Sequence, residues 1–83
     1  MHFYLYIIYS VQSDSYYIGY TSNLEKRLSE HNSGISDYTA KASDWVVKYT
    51  EVYPSRELAM KREREIKKKK SRKFIEWLIN SVG

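Results

Sequence analysis

Apolar and polar positions group into two short blocks at the start of the chain. Positions 3–9 and 16–21 are dense in Tyr, Ile and Leu, and the polar stretch 10–15 divides them. That pattern predicts two strands joined as a hairpin. Ser22 and Glu25 have the spacing of a capping box, so a helix is expected from there to 31 or 32, with Leu24 and Leu28 facing inward. Asn32-Ser-Gly34 supplies its stop signal. Residues 35–44 read as a loop and 45–53 as a third strand. Pro54-Ser55 ends that strand and opens a helix over 56–69. Ser71 marks a break before a last helix over 72–80, where Phe74, Ile75, Trp77, Leu78 and Ile79 form an apolar surface expected to pack inside. The order is β-β-α-β-α-α.

Side-chain parity then sorts the hairpin. If Tyr6 lies opposite Tyr17, then Tyr4, Tyr6, Tyr17 and Gly19 share one face, and Phe3, Leu5, Ile7, Tyr16, Ile18 and Tyr20 share the other. The second set is the more apolar and is the natural core face. Tyr6 and Tyr17 are left on the face available for function, and Gly19, lacking a Cβ, admits a close approach there. The same pattern also describes ordinary strand tyrosines with surface hydroxyls.

The helices add three more candidates. Arg27 and His31 are four apart and so share one helix face, about 100° around from Leu24 and Leu28. A guanidinium fork suits phosphate oxygens, although a surface arginine and a histidine near a helix C-terminus fit the spacing too. Glu63 is the sharper anomaly. With Ala59, Met60, Ile66 and Lys67 as its helical neighbours, it falls on the stripe expected to face the sheet. A partly buried carboxylate is costly unless it is paired or binds a metal. An ion pair with Lys67 or a nearby arginine is one solution. The other is Mg²⁺, which keeps most of its waters and takes one or two protein oxygens plus phosphate.

Composition narrows the classes. Eighty-three residues suit one small domain spanning 1–83, and the absence of cysteine excludes both a disulfide framework and a zinc–thiolate site. No apolar stretch approaches the roughly 20 residues of a membrane span, and residues 1–9 lack the marks of a secretory signal. A soluble, cytoplasmic protein is therefore expected. Net charge is +4, but residues 56–73 concentrate ten Lys/Arg against three acids. Such a basic face suggests a polyanionic partner, with Arg62, Lys67, Lys68, Lys69, Lys70, Arg72 and Lys73 as backbone contacts. A solvated helix surface is the plainer alternative. No broad apolar face accompanies the run, so a membrane surface is disfavoured.

At this point the residues resemble the GIY-YIG nucleases over nearly the whole chain. One half of the family motif stands literally as Tyr17-Ile18-Gly19. The other appears as Tyr4-Leu5-Tyr6, with Tyr4 in place of the usual glycine, and ten residues separate the halves. The stretch from Tyr17 through Arg27 to His31 looks like the family's strand-to-helix block. Ala59-Met-Lys-Arg-Glu63 resembles its metal-binding helix, and the lysine-rich run with its apolar ending looks like the small stand-alone bacterial branch. The resemblance implies an α+β fold, with a three-stranded antiparallel sheet flanked by helices. It implies an active site of Tyr6, Tyr17, Arg27 and Glu63, with His31 at a fifth position and Gly19 as the motif glycine. Tyr20 stands where some members place a lysine.

The expected activity is metal-dependent hydrolysis of DNA phosphodiesters by a monomer using one Mg²⁺ or Mn²⁺ ion and no organic cofactor. Glu63 would hold the ion, and Tyr6, or else Tyr17, would act as base. Arg27 would stabilise phosphate charge. So small a domain leaves few residues for reading bases, so structure-selective or weakly specific cleavage in DNA repair or processing is expected. Two other classes fit the charge pattern: a nucleic-acid-binding module with negligible catalysis, and an interaction domain for an acidic protein.

Overall fold

A computed structural model of the chain describes residues 1–81, and its elements run β1 (Phe3–Ser10), β2 (Ser15–Thr21), α1 (Leu24–Asn32), β3 (Val46–Tyr53), α2 (Arg56–Lys69) and α3 (Arg72–Ser81). The fold is α+β. Its sheet is antiparallel throughout, in the order β2-β1-β3, with β1 in the centre. The connection from α1 to β3 carries one 3₁₀ turn, Thr39–Lys41, where the sequence suggested only loop. The start of α1 also differs from the sequence expectation. Asn23 caps it, its side chain accepting from the Lys26 backbone N–H, while Ser22 stands outside the cap. Ser55 caps α2, and the Ser71 hydroxyl accepts from the Phe74 N–H at the start of α3.

The hairpin register is displaced by two residues from the one expected: Tyr6 lies opposite Gly19, and Tyr17 opposite Ile8. A shift of two leaves parity intact, so Tyr6, Tyr17 and Gly19 still share a face. That face is not open, however. As the central strand, β1 is covered on both sides, and Leu5, Tyr6, Ile7 and Ile8 are all essentially fully buried. Leu5 and Ile7 join Ile18, Ile66 and Leu78 beneath α2 and α3. Tyr6 and Ile8 join Ala42 and Trp45, with Leu24, Leu28 and Val47 packed around them. A bulge between Ile7 and Ile8 makes this possible in β3. Ile7 faces Tyr49 while Ile8 faces Val47, so Lys48 is extra. Val47 thereby turns to the Tyr6 side and Tyr49 to the other.

Two apolar residues sit elsewhere than expected. Trp45 is not the first residue of β3 but a fully buried anchor ahead of it, held by the Asn32 side chain at its backbone N–H and by its indole N–H to the Thr39 carbonyl. Trp77, expected to pack inside, is exposed and lies against Phe74. Between α2 and α3, Lys70 adopts a left-handed conformation (φ 47°) and ends the helix without glycine.

Candidate active site

Pleat, register and one helix turn bring the first group together. Tyr6 projects from β1 into the layer beneath α1, and His31 enters the same layer from the last turn of α1. The Tyr6 hydroxyl lies 2.8 Å from His31 Nε2, and His31 Nδ1 lies 2.7 Å from the Thr39 hydroxyl. All three side chains are buried. Gly19 is what makes room: a methyl there would stand 2.6 Å from the Tyr6 phenolic oxygen. The close approach permitted by the missing Cβ is therefore made by Tyr6, not by a ligand.

The direction of this chain of hydrogen bonds follows from its far end. The Thr39 hydroxyl also reaches the Ser36 carbonyl at 3.4 Å, an atom that can only accept. With the Thr39 proton given there, Thr39 accepts from Nδ1–H, and Nε2 is left bare to accept from Tyr6. Each proton in the series then has an acceptor. Burial, reinforced by the Arg27 cation, depresses the His31 pKa to about 4, so the imidazole is neutral near pH 7. Burial also pushes the Tyr6 phenol up to about 12. The Tyr17 phenol adds to the rise, Arg27 opposes it by hydrogen bonding and charge, and the Glu63 carboxylate contributes a smaller increase.

Tyr17 is half-buried beside this pair. Its ring centroid lies 6.3 Å from that of Tyr6 and 4.9 Å from that of His31. Arg27 sits one helical turn before His31, and Nη1 donates to the Glu30 carboxylate at 2.9 Å. α2 passes the edge of the sheet formed by β2, which places the Lys67 ammonium 5.6 Å from the Tyr17 ring centroid. The same ammonium lies 3.6 Å from a Glu63 carboxylate oxygen. Tyr6, Tyr17, Arg27, His31 and Glu63 thus converge on one region, contributed by β1, β2, α1 and α2.

Glu63 is the oxygen donor here that fits a divalent ion. Its side chain is about 18% exposed, and its partner Lys67 is a loose one on a half-exposed stem. Among the described residues no cluster of three or more His, Asp or Glu gathers. A hard dication that keeps most of its waters, in the manner of Mg²⁺, would need no more from the protein than this one carboxylate.

The basic residues divide into two groups. Arg62 is not free for a polyanion. Nε and Nη2 grip the Glu51 carboxylate at 2.9 and 3.2 Å, and Tyr49 and Tyr53 donate to the same carboxylate. This arrangement ties α2 to β3. Arg72 is likewise occupied, with Asp14 at 2.7 Å and Glu76 at 3.2 Å. Lys68, Lys69, Lys70 and Lys73 are exposed and make no ion pair among the described residues.

Thr39, Tyr38 and Trp45 shape this region, yet all three fall in or beside the segment that reads as an irregular connection. No periodicity marks Thr39 as the partner of a histidine eight positions earlier.

Comparison with known proteins gives the family and the fold. The GIY-YIG catalytic domain model matches residues 2–76. A UPF0213 protein of Staphylococcus haemolyticus is 42% identical over 65 residues, which cover 77% of this chain and 78% of that protein. One from Natronomonas pharaonis is 38% identical over 65 residues, covering 77% and 75%. The solution NMR structure of a UPF0213 protein from Bacillus halodurans superposes with a TM-score of 0.59 at 34% identity, covering 96% of this chain and 84% of that one. By the family model, the sequence identity of its relatives and the shared fold, this chain belongs to the GIY-YIG catalytic domain family.

Proposed function

We propose that the protein is a metal-dependent DNA endonuclease that hydrolyses phosphodiester bonds with structural or weak sequence preference. The observation that carries this reading is the buried Tyr6–His31 hydrogen bond, set beside Tyr17, Arg27 and Glu63. Glu63 is the residue to hold one Mg²⁺ or Mn²⁺, which when bound supplies Lewis acidity at the phosphate and at the leaving oxygen. The remaining work falls to the protein. Tyr6 accepts a proton from the attacking water as its own passes to His31 Nε2. Such a transfer is unfavourable while His31 is buried beside the Arg27 cation, which Glu30 compensates only in part. A phosphate seated against Arg27 offsets that cation, raises the proton affinity of His31 and makes the relay accessible. Arg27 meets the charge developing on the non-bridging oxygens, and Tyr17 orients water or phosphate. Lys68, Lys69, Lys70 and Lys73 supply backbone affinity without base reading. A role in DNA repair or processing, as a cytoplasmic monomer, accords with this chemistry.

A second reading, nucleic-acid binding with little catalysis, draws on the Glu63–Lys67 pair, because an ammonium already compensates the carboxylate. A nicking assay in Mg²⁺ or Mn²⁺ separates the two. Product that depends on metal and disappears in Glu63→Ala, Tyr6→Phe and Arg27→Ala supports the nuclease. Salt-sensitive binding with no metal-dependent product supports the module, and product surviving all three substitutions refutes the assigned site.

A further inference from the structure

We propose that a cleft on the outer side of Tyr17 is a subsite for one unpaired nucleotide, whose base lies against Tyr38 and whose phosphates meet Lys67 and Lys70. This inference rests on nucleic acid being the ligand of the neighbouring site. The cleft is open to solvent, has a volume of about 540 Å³ and lies between β2, the end of α2, the start of α3 and the connection after α1. That volume is in the range of clefts that hold small organic ligands, roughly 300–1,000 Å³.

Its lining has two kinds of surface. Ile18, Ile66 and Ile75 give an apolar floor, and Tyr17 and Tyr38 give aromatic walls with ring centroids 5.6 Å apart. Lys67, Lys70 and Arg72 stand on the rim, and Lys41 lies 4.3 Å from the Tyr38 ring centroid. The Asp14 carboxylate at the same rim is compensated by Arg72 and Tyr9, so it opposes an anion little. A flat apolar ring carrying anionic groups matches both surfaces at once. A fully paired duplex does not, because its bases are stacked inside and offer the cleft only phosphates. Tyr38 is about half exposed with no packing duty in either core. Tyr17 borders both the cleft and the Tyr6–His31 pair, so a nucleotide seated here places an adjoining phosphate toward the reactive groups.

The test is binding without divalent metal, so that cleavage plays no part in the readout. Hexathymidylate and a blunt duplex of similar charge are titrated into the wild-type protein, Tyr38→Ala and Tyr38→Trp. Removal of one base–aromatic stack predicts that Tyr38→Ala binds hexathymidylate about tenfold more weakly, while Tyr38→Trp retains affinity and duplex binding is unchanged. In the wild-type protein, the methyl NMR signals of Ile18, Ile66 and Ile75 should move on adding hexathymidylate. Unmoved methyl signals, or equal Tyr38→Ala effects on both ligands, would overturn the subsite. A protein that cuts nothing but shows the Tyr38 dependence loses the nuclease reading and keeps this one. Metal-dependent cutting without that dependence does the reverse.

Discussion

Gly19 and Tyr6 face each other across the hairpin so closely that a Cβ on the glycine would lie 2.6 Å from the phenolic oxygen and 2.8 Å from the ring carbon bearing it. The glycine is required for space rather than for backbone conformation, since Gly34 is the described glycine with positive φ. Gly19→Ala should therefore push the phenol away from His31. We expect a stability loss of about 1–3 kcal/mol in chemical denaturation, the usual range for overpacking a core. Nicking activity should fall further than stability explains. A variant that nicks at the wild-type rate with the Tyr6–His31 pair displaced would show that this hydrogen bond is dispensable.

Thr39 acts on Tyr6 only through His31. Thr39→Val removes the acceptor of Nδ1–H while keeping shape, whereas Thr39→Ser keeps the acceptor. We predict that Val shifts the imidazole tautomer, read from its nitrogen NMR signals, and slows nicking about tenfold, as loss of a partner orienting a histidine commonly does. Serine should restore both. If Val and Ser slow the reaction equally with an unchanged tautomer, Thr39 is only a packing residue.

The buried neutral imidazole makes stability depend on pH in a definite direction. Folded His31 has a pKa of about 4 against an ordinary value of 6.5. Between those values the unfolded chain binds a proton that the folded chain refuses, so stability falls as pH drops from 6.5 toward 4 and is constant above that window. The integrated effect is on the order of 3 kcal/mol. Urea midpoints at pH 7.5 and 4.5 should separate more in the wild-type protein than in His31→Gln. Carboxylates such as Asp14, Asp44 and Glu51 titrate in both and cancel in the comparison. Equal acid losses in the two proteins would contradict a buried neutral His31.

Arg62 and the free lysines should behave in opposite ways. Arg62→Ala strips Glu51 of its bidentate partner and is expected to cost about 2–3 kcal/mol of stability, with little change in the salt dependence of DNA binding. Lys68→Ala with Lys69→Ala should leave stability within about 0.5 kcal/mol. Together they should lower the slope of log affinity against log salt by about 2, one for each phosphate no longer neutralised. Binding isotherms at several salt concentrations, with denaturation curves for both variants, decide the matter.

Local pattern was sufficient for the elements, because each carries its own signal. Dense runs of Tyr, Ile and Leu divided by a polar stretch mark β1 and β2, Ser55 and the Ala59–Ile66 spacing mark α2, and the apolar stripe of Phe74, Ile75 and Leu78 marks α3. The faces of Tyr6, Tyr17 and Gly19 were also legible despite a register wrong by two residues, since parity repeats every two. The placement of Ser22 rather than Asn23 as cap shows the limit of that legibility. Adjacent residues with equal capping chemistry are separated only by where the chain enters the helix.

What the chain's own sequence settled was composition, periodicity and motif: three strands, three helices and the residue types able to handle phosphate. Tertiary structure decided which of those residues meet. Burial of both faces of β1, the Tyr6–His31–Thr39 series, the capture of Arg62 by Glu51 and the exposure of Trp77 all join positions far apart along the chain or depend on how elements pack. Such pairings follow from three-dimensional packing and electrostatics, which short-range periodicity does not encode.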